Sequence, residues 1–317
     1  MLPWAFGKNC SGRSEQAIIE CGLNWEVHKT PLFVHDEESY QVPDYAIWRR
    51  DIKKRLGVVG KVYQPLQNID AFKFMDNLIE SNHLEYAKGG SIDNGSRIFL
   101  VGKIPAAFFN VSGQTHQAYV TFMNGHDGKF SITAYPADVR INSVYVLNAG
   151  FRIRHSSKLD EQMQEGAKTL QNSINLFERY GDKLRVLATH SMTDSEFFNF
   201  AATVSANIHN IHSSEVTISS EDIQKYKSNR LTKSRNNHVD TAVSLLESFK
   251  IENQELSTLA NTAYNAFNAV NRWANFRQRY NGSPLKKSET RFQHLISGKM
   301  RKVQALALDT LVENYGV

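Results

Sequence analysis

Cysteine is scarce: the 317-residue chain holds two, Cys10 and Cys21. A chain stapled by disulfides carries more, so the core must come from packed apolar side chains, and the expected compartment is a reducing cytosol. Long apolar runs are missing too. Nowhere do about 18 apolar residues follow one another, which excludes a spanning helix, and the opening MLPWAFGKNCSGRS has no apolar stretch of signal-peptide length. Internal repeats and low-complexity tracts are absent. What is present is 41% apolar and 11% aromatic residues, the profile of an ordinary soluble globular protein long enough to bury one large core or two smaller ones.

The first half reads as mixed α and β. Ser14 is placed to cap a short helix that stops at Gly22. Residues 25–34 and 45–50 read as strands. Asn68 is placed to cap an amphipathic helix up to Ser81, with Ile69, Phe72, Phe74, Met75, Leu78 and Ile79 at helical spacing. Two hairpins follow: 84–92 with 97–104 around Asp93-Asn94-Gly95-Ser96, and 117–124 with 129–135 around Gly125-His126-Asp127-Gly128. Alternation along 119–124 predicts a sheet packed on one face. The pattern leaves 139–147 unassigned, and 151–155 reads as a last short strand. The fold class is therefore α+β, an antiparallel sheet built from hairpins and packed with helices, with residues 1–158 as one region.

Residues 159–317 read as mainly helical. One helix is expected over 159–180, one capped by Thr193, and a long one from Ser257 to Tyr280. Positive charge collects here: residues 225–302 hold fifteen Lys and Arg against five Asp and Glu, so the chain's net +5 leaves the remainder at −5. Such polarity points to a polyanionic partner. Within this segment KYKSNRLTKSRNN, residues 225–237, has only Tyr226 and Leu231 as large apolar side chains, which predicts an exposed, mobile basic loop. Arg272, Arg277 and Arg279 share the long helix with Tyr264, Phe267, Trp273, Phe276 and Tyr280. Cations beside flat rings can follow a phosphate backbone while stacking bases. Helical spacing assigns Tyr264, Phe267 and Phe276 to an apolar stripe and Arg272 and Arg279, seven apart, to the opposite face.

Other chemistry is thin. Gly7-Lys8-Asn9-Cys10-Ser11-Gly12-Arg13-Ser14 has phosphate-loop spacing with Arg in place of Lys, but lacks the buried strand that must precede such a loop. His209 and His212 are three apart, without the four-residue spacing and intervening Glu of a zinc helix. No cofactor or metal site is expected, though Asp127 and Asp138 flank one hairpin and could meet.

A wider pattern joins these pieces. Val62-Tyr63-Gln64-Pro65-Leu66-Gln67-Asn68 ahead of Ala71-Phe72, Gly89-Gly90, Asn124 to Gly128, Val139-Arg140 and Ile153-Arg154-His155 resemble the phage/plasmid-like protein family, also called domain of unknown function 932. Pro3-Trp4, Gly22-Leu23-Asn24-Trp25, the tail Tyr264-Asn265-Ala266-Phe267-Asn268-Ala269-Val270 and Gly298-Lys299 are similar to it as well. The resemblance covers nearly the whole chain and implies a mobile-element origin. Where that family usually carries a Cys and an Asn-Thr pair, this chain has Ser143, Val144, Tyr145 and Val146, so any thiol or amide chemistry there is lacking. Hairpins followed by a helix also resemble, more loosely, phage single-strand annealing proteins.

The leading expectation is a non-catalytic protein that binds single-stranded DNA without sequence preference, promotes annealing in recombination and acts as a cytoplasmic homo-oligomer away from membranes. Arg230, Lys233, Arg235, Arg272, Arg277, Arg279, Lys286 and Lys287 are the expected phosphate contacts, with Lys299-Met300-Arg301-Lys302 extending the surface. The alternatives are a metal-dependent nuclease or other hydrolase using Asp127 and Asp138, and a protein that binds a host factor through its helical half.

Overall fold

Turn chemistry lays out the sheets. The computed structural model describes residues 2, 4–80, 83–141, 143–148, 150, 152–153 and 174–316. Its first elements are β1 (Lys8–Asn9), α1 (Ser14–Glu20), β2 (Val27–His35), β3 (Ser39–Arg49), β4 (Lys54–Val59), α2 (Asp76–Glu80), β5 (Glu85–Ile92), β6 (Arg97–Val111), β7 (Gln114–Gly125), β8 (Ile132–Arg140), β9 (Ser143–Val146) and β10 (Arg152–Ile153). They form a seven-stranded sheet in the order β1-β5-β6-β7-β8-β10, with β9 beside β8, and a three-stranded sheet β2-β3-β4. The Asn94-Gly95 turn forms as expected, with Asp93, Asn94 and Gly95 all at positive φ. A second tight connection at Ser112-Gly113, φ 45° and 86°, joins β6 to β7. The α+β class expected from the pattern is the class observed.

Tertiary contacts redirect several local signals. Ser14 does not cap α1: the N-cap is Arg13, and Ser14 sits in the first turn, its N–H and Oγ donating to the Asp76 carboxylate at 2.9 and 3.0 Å. That anion beside the helix N-terminus does the capping from α2. The C-terminus behaves as expected. Gly22, φ 68°, lets its own N–H reach Ile19 O and the Leu23 N–H reach Ile18 O. The same string rules out a phosphate loop, because its serine is engaged by a carboxylate.

Asn68 likewise caps nothing. It is buried, donating to Leu23 O (2.7 Å) and Trp25 O (3.2 Å), while its Oδ1 meets His126 Nε2 at 2.7 Å. With that amide spent, the expected helix shrinks to a short 3₁₀ turn and α2, and Ser81 lies outside the described residues. Gln67 pairs its side-chain amide with both Val27 N–H and Val27 O, and the Tyr63 hydroxyl donates to Gly125 O. The 62–68 string and the 124–128 turn, both carriers of the family resemblance, are thus one structural joint. Gly57 backs against it, since a Cβ there would stand 2.6 Å from Asp127 backbone atoms. Asn68→Ala removes three hydrogen bonds, two of them buried, and is expected to destabilise by about 2–3 kcal/mol, read from the urea midpoint.

The strand 119–124 is packed on both faces, not one. Val120, Thr121, Phe122, Met123 and Asn124 are all buried, because both sides of β7 are covered beyond Tyr119. The unassigned stretch 139–147 is the end of β8 and all of β9.

The chain divides into two compact units. One holds residues 1–108, 117–142 and 146–177, the other 109–116, 143–145 and 178–317. The second is mainly helical: α3 (174–187) from residue 178 on, α4 (Asp194–His209), α5 (Ser220–Lys227), α6 (Lys233–Glu255), α7 (Ala263–Arg272), α8 (Pro284–Ile296) and α9 (Lys299–Tyr315). Residues 159–173 of the expected 159–180 helix, and Phe151, Arg154 and His155 of the expected last strand, lie outside the described residues. Thr193 caps α4 with a reciprocal Glu196 bond, as its spacing predicts.

Candidate functional site

The helical unit is held by rings and amides. Phe197 of α4 stacks on Phe249 of α6 at 4.1 Å. Tyr145, Tyr180 and Phe267 form a second cluster, and the Tyr264 hydroxyl meets His116 Nε2 at 2.8 Å. These burials, of Tyr264 and Phe267 above all, match the apolar stripe expected of them.

The long helix expected over 257–280 does not form. Asn261 takes a left-handed conformation, φ 55°, and Thr262 opens a new helix, α7. This continues into a wide π turn, Trp273–Arg277, and ends at extended Gln278. Asn275 explains the widening: its amide donates to Val144 O (3.1 Å) and Asn271 O (2.8 Å), and its Oδ1 accepts from Val144 N–H. Gln304 of α9 donates to the same Val144 O and to Asn271 Oδ1. Gripping residue 144 in this way resets the helical phase, and π turns recur at functional sites. Phe276, expected in the core, is 42% exposed as a result.

The structure sorts the eight nominated cations. Arg272 donates Nε to the buried Glu252 at 2.6 Å and a second nitrogen to Glu255. Arg235 bonds Asp222 twice and the carbonyls of Glu215 and Thr217. Its segment is not the expected loop but the α5–α6 junction, ordered because Arg235 ties it down. Arg235 also holds the Asp222 carboxyl far below the usual range. Lys286 lies 3.5 Å from Glu289. Arg272, Arg235 and Lys286 are therefore committed to carboxylates. Arg230, Lys233, Arg277, Arg279 and Lys287 make no ion pair among the described residues and are exposed.

Two cavities meet along Gln278 and Arg279. One, about 440 Å³, is lined by Asn275, Phe276, Gln278, Arg279, Tyr280, Asn281, Lys287, Ser288 and Arg291. It has three cations, two rings and no carboxylate. Arg291, absent from the sequence nominations, lies over the Phe276 ring at 5.3 Å. Burial pushes the Tyr280 hydroxyl up to about 12, so it stays protonated and able to donate. The other, about 480 Å³, is lined by Asp240 and Glu247 as well as by Arg277 and Arg279, with the Tyr226 hydroxyl donating to Asp240 at 2.6 Å. Carboxylates make that side unwelcoming to phosphate. Arg230 and Lys233 line neither cavity.

The alternative chemistry finds little support. Asp127 accepts from the N–H groups of Lys129 and Phe130 and pairs with Arg97 at 3.3 Å, so it shapes its own turn. Asp138 is buried. Among the described residues, no group of three or more His, Cys, Asp or Glu could hold a metal ion. Nor, among them, is any helix long and apolar enough to cross a membrane.

His209 meets Thr241 Oγ1 at 2.9 Å, and His238 sits between Ser205 Oγ and Val216 O. Burial lowers both imidazoles below their ordinary 6.5. The folded state then binds fewer protons than the unfolded one just below that value, so stability falls as pH drops through it. Acidification from about pH 7 to about pH 5 should lower the melting temperature by about 2–5 °C, and His238→Gln should flatten that dependence in a thermal scan.

A protein-family model described as Domain of unknown function (DUF932) matches residues 55–306. No curated protein and no solved structure matches the chain. The match covers well over half of the sequence, from β4 through the π turn into α9 and including the joint between 62–68 and 124–128: the chain belongs to the DUF932 family.

Proposed function

We propose that this protein binds single-stranded DNA on its helical unit, without base-sequence preference, and promotes annealing in the recombination of a mobile element, acting as a homo-oligomer. The observation that carries this reading is the cluster of Arg279, Lys287 and Arg291 with the exposed Phe276 around a cavity free of carboxylates. Cations that follow phosphates and a ring that accepts any base are the two requirements of strand binding that ignores sequence. Arg230 and Lys233, neither in an ion pair among the described residues, would extend the track; Arg235, Arg272 and Lys286 leave it because acids already hold them, and Arg277 leaves it because it lines the cavity that Asp240 and Glu247 share.

Fluorescence anisotropy with a labelled single strand of about 30 nucleotides tests the reading, at about 50 mM and about 200 mM salt. Binding that is tight at low salt and weak at high salt is expected, with pyrimidine and mixed sequences alike. No binding at low salt overturns it.

A further inference from the structure

The cavity beside the π turn says more than that the surface is basic. Its wall combines Arg279, Lys287 and Arg291 with two aromatic rings, Phe276 and Tyr280, and the amides of Asn275, Gln278 and Asn281. The Tyr280 hydroxyl and Arg291 Nε are buried with no hydrogen-bond partner among the described residues. Native interiors rarely leave such donors unmade. At about 440 Å³ the space lies within the range of small-ligand sites.

We infer that this cavity is a nucleotide subsite: it takes one nucleotide unit, the phosphate held by Arg279, Lys287 and Arg291 and the base lying against Phe276 and Tyr280. The inference rests on the strand-binding reading of the same surface and names the part of the strand that enters. Arginine forks suit a phosphate oxygen pair, and Lys287 adds a point charge. Tyr280, held edge-on by His294 at 5.2 Å, offers a fixed ring and a donor hydroxyl. The second cavity lacks this chemistry because Asp240 and Glu247 repel an anion there. A flat base needs no particular edge to stack, so the site discriminates nucleotide from bare anion, not one base from another.

The experiment titrates the full chain with deoxyadenosine monophosphate, inorganic phosphate and a 30-mer single strand, for wild type, Phe276→Leu and Lys287→Met. Both altered side chains are exposed, which keeps the fold intact. Expected are wild-type binding of the mononucleotide, about tenfold weaker binding in each variant, and weaker competition by inorganic phosphate. A strand carrying 5-bromodeoxyuridine should photocrosslink within the 276–280 stretch. Strand binding without mononucleotide binding, or mononucleotide binding unaltered in both variants, overturns the subsite and leaves the strand reading standing. Mononucleotide binding lost in the variants, without any strand binding, overturns the strand reading and assigns the cavity to a free nucleotide. Phosphate competing as well as the mononucleotide overturns the role of the rings.

Discussion

Replacing Arg279 and Lys287 together by alanine is expected to weaken single-strand binding by about 2 kcal/mol, a factor of about 30 at low salt. It should also lower the steepness of the salt dependence by about 1.4, since each lost phosphate contact on a single strand contributes about 0.7 to the slope of log K against log salt. Arg235→Ala is the control. Its guanidinium is occupied by Asp222 and two carbonyls, so the slope should stay at the wild-type value. A slope that falls as much in Arg235→Ala as in the double variant would mean that the charge of the whole segment acts diffusely and that the cavity has no special part. The comparison separates net charge from placed charge, which affinity alone would not do.

The largest expected effect on stability comes from Arg272→Ala. Glu252 is 1% exposed and receives Arg272 Nε at 2.6 Å. Removing the cation leaves a carboxylate in the interior without its guanidinium, and cutting one side of a buried pair costs about 3–5 kcal/mol. Arg272 is itself partly open and Glu255 half exposed, which places the loss near the lower end. The melting temperature should fall by about 10 °C. Adding Glu252→Gln to Arg272→Ala should recover part of the loss, because a neutral amide costs less to bury than a carboxylate that has lost its guanidinium. A double variant as unstable as Arg272→Ala would assign the loss to packing of the Arg272 stem.

Arg272 and Arg279 show why a charge pattern alone misplaces a binding site. Seven residues apart, they share a face only if one unbroken helix carries both. The π turn at Trp273–Arg277 breaks that phase, sending Arg272 to Glu252 and Arg279 to the cavity rim. Phe276 moved from the expected core to the surface for the same reason. Arg291 was visible only as one basic residue among fifteen, since nothing local distinguishes a cation beside a ring in space.

What the chain's own pattern determined is local or collective. Asn94-Gly95 must turn because only such residues take positive φ cheaply. Thr193 with Glu196 must start a helix, Gly22 must stop one, and the surplus positive charge must lie in the helical half because the residues are counted there. The family resemblance was legible in the same way, as strings of residues. Tertiary structure alone decided what those residues touch. Asn68 had the chemistry of a cap, yet three partners 43 or more residues away claimed its amide. Asn275 fixed the π turn through Val144, 131 residues distant. Hydrogen bonds and ion pairs between remote segments carry no periodicity, so their partners emerge only once the chain is folded, and with them which cations remain available to a phosphate.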